Sequence, residues 1–147
     1  MYEDNIDTPD EELKRADHLV YVSLKYTRTC DIMKNAMKRM IAADELAMKD
    51  YLEYLRKNKE LAAVPGSAKE RANLVKKLLG NQVKKYLSLY NLLKKIDKAE
   101  YTAIEEFRKN VTLKTKTPKP IDVKVDDLYN YLEITKEFAT IIKNKIK

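Results

Sequence analysis

The residues most often used in catalysis are scarce in this chain. It contains one histidine, His18, and one cysteine, Cys30. A Ser-His-Asp or Cys-His site must therefore use His18, yet the adjacent Asp17 points to a different side of a helix. Cys30 is interpreted as a small buried residue, although it falls where a helix begins, a position that lowers the pKa of a thiol. These observations favour a non-enzymatic protein.

Metal and phosphate-loop sites also lack their usual residues. Zinc sites take four ligands, mostly Cys and His, and di-iron bundles need Glu-x-x-His pairs, whereas arginine stands three residues before the histidine here. Phosphate loops need several close glycines, and this chain has two. The pairs Glu105/Glu106 and Asp126/Asp127 are candidate magnesium ligands, but acidic first turns of helices explain them more simply. We expect no metal and no cofactor.

Lysines form the strongest functional pattern. The net charge is +7, and positive charge is concentrated in residues 68–98, with nine bases and two acids, and in residues 108–124, with six bases and one acid. Projected on a helix, residues 81–98 divide into an apolar side and a cationic side. The candidate contacts for nucleic-acid backbone or another anion are Lys84, Lys85, Lys94, Lys95, Lys98, Lys114, Lys116 and Lys119. Lysines that only solvate a helix face are the alternative, because charge patches bear on association and not on fold.

A second polar cluster lies near the amino end. On a continuous helix, Asp17, Tyr21, Lys25 and Arg28 share one face. Such a face suits an anion or an RNA backbone. It suits equally well an interhelical network of ion pairs and hydrogen bonds.

Helices must position these residues. Glycine and proline, which most readily interrupt helices, are absent from Asp10 to Val64. One straight helix of that length would exceed a compact domain, so we place a break at residues 25–29. Apolar stripes at helical spacing predict an all-α, up-and-down bundle of about five helices, with the last helix packed against the long second one. The stripe of the second helix is Met33, Ala36, Met37, Met40, Ala43 and Ala47.

Start and stop signals give the other boundaries. Thr8 and Ser67 are predicted N-caps, and Gly80 is predicted to end one helix before Asn81 caps the next. A short helix is predicted from residue 102 to residue 108. Residues 110–124, rich in threonine, proline and lysine, are predicted to be a basic loop.

The chain is expected to be one domain with a tail. Residues 1–8 are predicted to form an acidic, flexible tail, and residues 9–147 a single domain. No stretch approaches the ~18 apolar residues of a membrane span, and the amino end lacks the cationic and apolar blocks of a secretory signal. No exposed Phe or Leu wedge for a membrane surface is evident. We expect a cytoplasmic protein with no membrane partner.

The layout resembles the HEPN class of small helical bundles. The resemblance lies in the helix around Arg15-Ala16-Asp17-His18-Leu19-Val20-Tyr21 and the long helix from Asp31. Many members of that class are ribonucleases, and others partner nucleotidyltransferases. The ribonucleases carry Arg, four to six residues, then His, whereas the corresponding positions here are Glu11, Glu12 and Leu13. The resemblance therefore implies a non-catalytic member.

Three functional hypotheses follow. The first is a non-enzymatic helical module that binds RNA or DNA backbone, or an acidic protein, through its lysine-rich helix face. The second is a structural homodimer whose interface covers the methionine stripe or the last helix. The third is a metal-free, HEPN-like ribonuclease that uses the Asp17–Arg28 cluster.

Overall fold

The computed structural model describes residues 7–147, and residues 1–6 of the predicted tail lie outside the described residues. Its helices are α1 (Pro9–His18), α2 (Leu24–Tyr26), α3 (Cys30–Lys57), α4 (Ala68–Leu79), α5 (Lys84–Lys98) and α6 (Val125–Lys145). A π-helical turn, Leu19–Ser23, joins α1 to α2, and a 3₁₀ turn, Gly80–Gln82, precedes α5. Three strands, β1 (Tyr101–Ile104), β2 (Thr112–Thr115) and β3 (Asp122–Lys124), lie between α5 and α6.

The first helix and the break after it are as predicted. Thr8 is the N-cap of α1, and its Oγ1 accepts a hydrogen bond from Glu11 N at 3.1 Å. The helical path ends at Tyr26, and Thr27 is extended. Thr29 then caps α3, with Oγ1 accepting from Ile32 N at 3.3 Å. Thr29 thus begins the next helix, because its side-chain oxygen supplies the acceptor that a first-turn amide lacks.

The long helix α3 lies at the centre of the fold. Every residue of its predicted stripe is buried, as are Met48, Tyr51 and Leu52 further along the helix. Helices α1, α4, α5 and α6 all pack against it. Leu128, Leu132 and Phe138 of α6 are also fully buried, which is consistent with the predicted packing of the last helix on the second.

The boundary between α4 and α5 differs slightly from the prediction. Ser67 caps α4 as expected, with Oγ accepting from Glu70 N at 3.1 Å. Gly80 ends the helix with φ +57°, a left-handed value that glycine adopts at no steric cost. Asn81, however, lies inside the 3₁₀ turn, and α5 begins at Lys84 with no side-chain cap.

A small sheet corrects the all-α prediction. Strands β1, β2 and β3 form a three-stranded antiparallel sheet in chain order, so the fold is mostly helical but not a purely helical bundle. The predicted helix over 102–108 is wrong, and residues 110–124 contain two strands instead of only a loop. Leu113 and Val123 pair directly and are buried, while Lys114 between its buried neighbours is exposed. This alternation is the strand period of two, but three or four residues are too few to separate it from loop sequence.

The sheet covers one end of the helices and joins the same core. Leu113 and Val123 belong to the cluster of buried residues that the helices form. Glu106, in the β1–β2 loop, accepts a hydrogen bond from Cys30 N at 2.7 Å, so the sheet is held against the amino end of α3. Within residues 7–147, no helix has the length and apolar character needed to cross a membrane.

Candidate functional site

Helix α5 presents its two sides as predicted from its sequence. Val83, Leu89 and Leu93 are buried, whereas Lys84, Lys85, Lys95 and Lys98 are exposed. Two of the lysines are engaged with carboxylates. The Nζ of Lys85 lies 3.6 Å from Glu137 Oε1, and that of half-buried Lys94 lies 3.4 Å from Glu45 Oε2.

The sheet continues the cationic surface beyond the end of α5. Lys116 N donates a hydrogen bond to Glu100 O at 2.8 Å, so the end of β2 lies beside the residues that follow Lys98. Lys114 and Lys119 are exposed on the same β2–β3 hairpin. We call the exposed lysines of these two adjoining segments the basic corner, and its members are Lys95, Lys98, Lys114, Lys116 and Lys119.

The basic corner is weakly neutralised within the described part of the chain. None of its five lysines lies within 4.0 Å of a carboxylate oxygen of residues 7–147. Asp122 is the cross-strand neighbour of Lys114, and Glu100 is exposed nearby. Lys84 and Lys85 lie at the other end of α5, about 15 to 21 Å from Lys95 and Lys98 at ~1.5 Å per residue. The eight predicted lysines therefore divide into a corner of five and a separate amino-terminal pair, with Lys94 turned toward Glu45.

The second predicted cluster forms only in part. Asp17 Oδ1 accepts from Lys136 Nζ at 2.9 Å, and the Tyr21 ring stacks on Tyr129 with centroids 4.9 Å apart. Both partners are on α6, so these contacts form the interhelical network that the sequence offered as one interpretation. Lys25 is exposed. Arg28 follows the end of α2, so it does not share their helix face.

A cleft of about 720 Å³ between α1 and α6 contains the only histidine. Its walls carry two ion pairs, Asp17–Lys136 and Asp10–Lys143, each with a 2.9 Å N···O distance. The exposed His18 ring makes no hydrogen bond to another residue of the described chain. Among residues 7–147, no nucleophile or orienting carboxylate is bonded to it, as a triad requires.

Two of the four candidate magnesium ligands accept hydrogen bonds from backbone amides. Glu106 accepts from Cys30 N, and Asp127 Oδ2 accepts from Lys124 N at 2.8 Å, which caps α6. Glu105 and Asp126 are exposed. Among residues 7–147, no group of three or more Cys, His, Asp or Glu side chains is arranged to hold a metal ion.

The cysteine is buried and its thiol is held neutral. Burial, followed by the nearby Glu106 carboxylate, raises the pKa of Cys30 to about 11, and Sγ donates to Thr112 O at 3.4 Å. We therefore expect Cys30 to resist a disulfide reagent such as DTNB at pH 8, because the thiolate is the reactive form. The measurement is the rate of thionitrobenzoate release. The same chain in urea should react completely, and rapid reaction of the folded protein would contradict the expectation.

Two exposed aromatic side chains were not anticipated from the sequence. Tyr26 is 80% exposed and Phe107 is 73% exposed, which corrects the statement that no exposed Phe wedge is present. Phe107 stands in the charged run Glu105-Glu106-Phe107-Arg108-Lys109. The isolation of one phenylalanine among charges is the sequence signal that would have indicated its exposure.

Comparison with known proteins assigns no family, since no protein-family model, no curated protein and no solved structure matches the chain. The resemblance to HEPN bundles stays a hypothesis. Function must therefore be argued from the surface itself.

Proposed function

We propose that the protein is a non-enzymatic module that binds nucleic-acid backbone through the basic corner. The observation that supports the proposal is the Lys116 N to Glu100 O hydrogen bond, by which the end of β2 lies beside the residues that follow Lys98. Lysine ammonium groups are compact, flexible point charges. They neutralise phosphates without reading bases, so the expected binding is independent of sequence.

The two other hypotheses have less support. Of the two interfaces expected for a homodimer, the methionine stripe is in the core, with Met33, Met37 and Met40 almost fully buried. The other, the last helix, already packs Leu128, Leu132 and Phe138 into the same core. The Asp17–Arg28 cluster proposed for a ribonuclease is divided between an α1–α6 network and a linker residue. Neither offers a set of exposed cations comparable to the basic corner.

The salt dependence of binding tests the proposal. Affinity for a random-sequence 20-base-pair duplex, measured by fluorescence anisotropy, should fall steeply between 50 and 200 mM salt, with a log–log slope of about −0.9 for each phosphate contacted. The double variant Lys95→Glu/Lys98→Glu should bind more weakly and lose roughly 1.8 from that slope. Both side chains are exposed, so the variant should remain folded.

A matched variant separates local contact from net charge. Lys14→Glu/Lys49→Glu changes the total charge equally at exposed positions outside the basic corner, and we expect the salt slope to be retained. No binding at low salt, or equal losses in both double variants, would contradict the proposal. Equal competition by poly-glutamate would assign the basic corner to an acidic protein partner instead.

A further inference from the structure

The β1–β2 loop holds a phenyl ring in water at a conformational cost. Phe107 has φ +67° and Glu105 has φ +52°, values in the left-handed region that residues with a Cβ atom disfavour. Phe107 is nonetheless largely exposed, so no burial of its ring offsets that cost. Strained backbone of this kind clusters at ligand-binding sites, where surrounding structure fixes it.

Contacts with the rest of the fold fix this loop in place. Phe107 N donates to Arg28 O at 2.7 Å, so the loop is attached to the linker between α2 and α3. Tyr26 stands two residues before Arg28, at the end of α2. The carboxylate of Glu106, which precedes Phe107 in the chain, accepts a hydrogen bond from Cys30 N. We call Tyr26, Phe107, Arg108 and Lys109 the aromatic tip.

The aromatic tip and the basic corner are joined by one short strand. Strand β2 begins at Thr112, just after the tip, and leads through Lys114 to Lys116 in the corner. Four strand residues span about 13 Å at ~3.3 Å each. The exposed cations Arg108, Lys109, Lys114 and Lys116 thus follow one another along the β1–β2 loop and β2, the central strand of the sheet.

We propose that the aromatic tip stacks the bases of single-stranded nucleic acid whose phosphates contact the basic corner. The inference rests on the proposed function and adds a preference for single strands. Aromatic side chains beside a cationic groove are the general solution for this ligand, because every base has a stackable face. Bases in a duplex are already stacked on each other. A lipid surface fits less well, because interfacial binding needs a broad apolar helix face, and the tip offers only two rings.

Two variants at one position provide the test. The probe is fluorescent twelve-residue oligothymidylate, compared with a duplex of the same length, at 50 mM salt. Phe107→Ala should weaken binding of the single strand about 5- to 150-fold, the usual range for loss of one stacked base, and change duplex binding less than twofold. Phe107→Gly should give the same loss while retaining full stability, because glycine accepts φ +67° without strain. Leu78→Ala, at an exposed apolar residue of α4, is the control and should leave both affinities unchanged.

Each result supports or overturns the inference. Selective loss of single-strand binding in both Phe107 variants supports it, and a further loss in Tyr26→Ala strengthens it. Unchanged single-strand binding in both Phe107 variants overturns it while leaving the proposed function intact. If the wild type binds neither the oligothymidylate nor the duplex, the proposed function is contradicted as well. If the Phe107 variants instead lost binding to phosphatidylserine vesicles that the wild type binds, and retained single-strand binding, the inference would be overturned in favour of a lipid surface.

Discussion

Replacement of Phe138 by alanine should lower the free energy of unfolding by about 3–5 kcal/mol. Phe138 is 1% exposed in the middle of α6, and its ring stacks on Tyr86 of α5 with centroids 5.6 Å apart and planes at 24°. The alanine variant loses the buried ring, leaves a cavity and removes the aromatic pair. Because domains of this kind have about 5–15 kcal/mol of stability in total, the loss is a large fraction of it.

Urea denaturation followed by circular dichroism measures this effect. The chain has only two phenylalanines, so Phe107→Ala is a control of identical chemistry on the surface. That variant should change stability by no more than ~0.5 kcal/mol, because its ring is largely exposed. Equal destabilisation by the two substitutions would contradict the position of Phe138 in the core.

Replacement of Asp44 by asparagine should make the protein more stable at pH 8. Asp44 is 3% exposed on α3, and burial, followed by the nearby Glu45, raises its pKa well above the ordinary value. An unfolded Asp titrates near 3.9, so between that pH and the native pKa the folded chain holds more protons than the unfolded chain. The free energy of unfolding therefore falls as pH rises through this window, by up to about 1.4 kcal/mol per pH unit.

Asparagine keeps the shape of the side chain and removes its charge. Asp44→Asn should therefore weaken that pH dependence and be more stable than the wild type at pH 8. Urea midpoints at pH 5 and pH 8 measure the change. Asp122→Asn, at an exposed position of β3, should show the same change in free energy of unfolding with pH as the wild type. The prediction fails if Asp44→Asn shows that same change.

Most of the helices were predictable because they carry local signals of their own. Thr8, Thr29 and Ser67 cap α1, α3 and α4 where their sequence contexts indicate, and the stripe of α3 extends over enough turns for its period to be read. The sheet was not predictable in this way. Its strands depend on pairings such as Leu113 with Val123, and a strand of three or four residues carries little periodicity of its own.

Only part of the candidate site could be predicted from the sequence. The helical projection of α5 identified its lysines, because that face depends on local periodicity. It did not identify that Lys116 lies beside the end of α5, since this requires the β1–β2 pairing. Nor did it place Arg28 correctly, because the π-helical turn and the end of α2 interrupt the helix on which that residue was projected.

The cap that Glu106 provides to α3 has a consequence for synthesis of the chain. Donor and acceptor are 76 residues apart in sequence, so a ribosome must translate well past α5 before the first turn of α3 receives this carboxylate. Until then Cys30 lacks the sheet that covers it in the native fold. The nascent polypeptide thus passes through an interval in which its one thiol is open to oxidants, and arrival of the β1–β2 loop ends that interval.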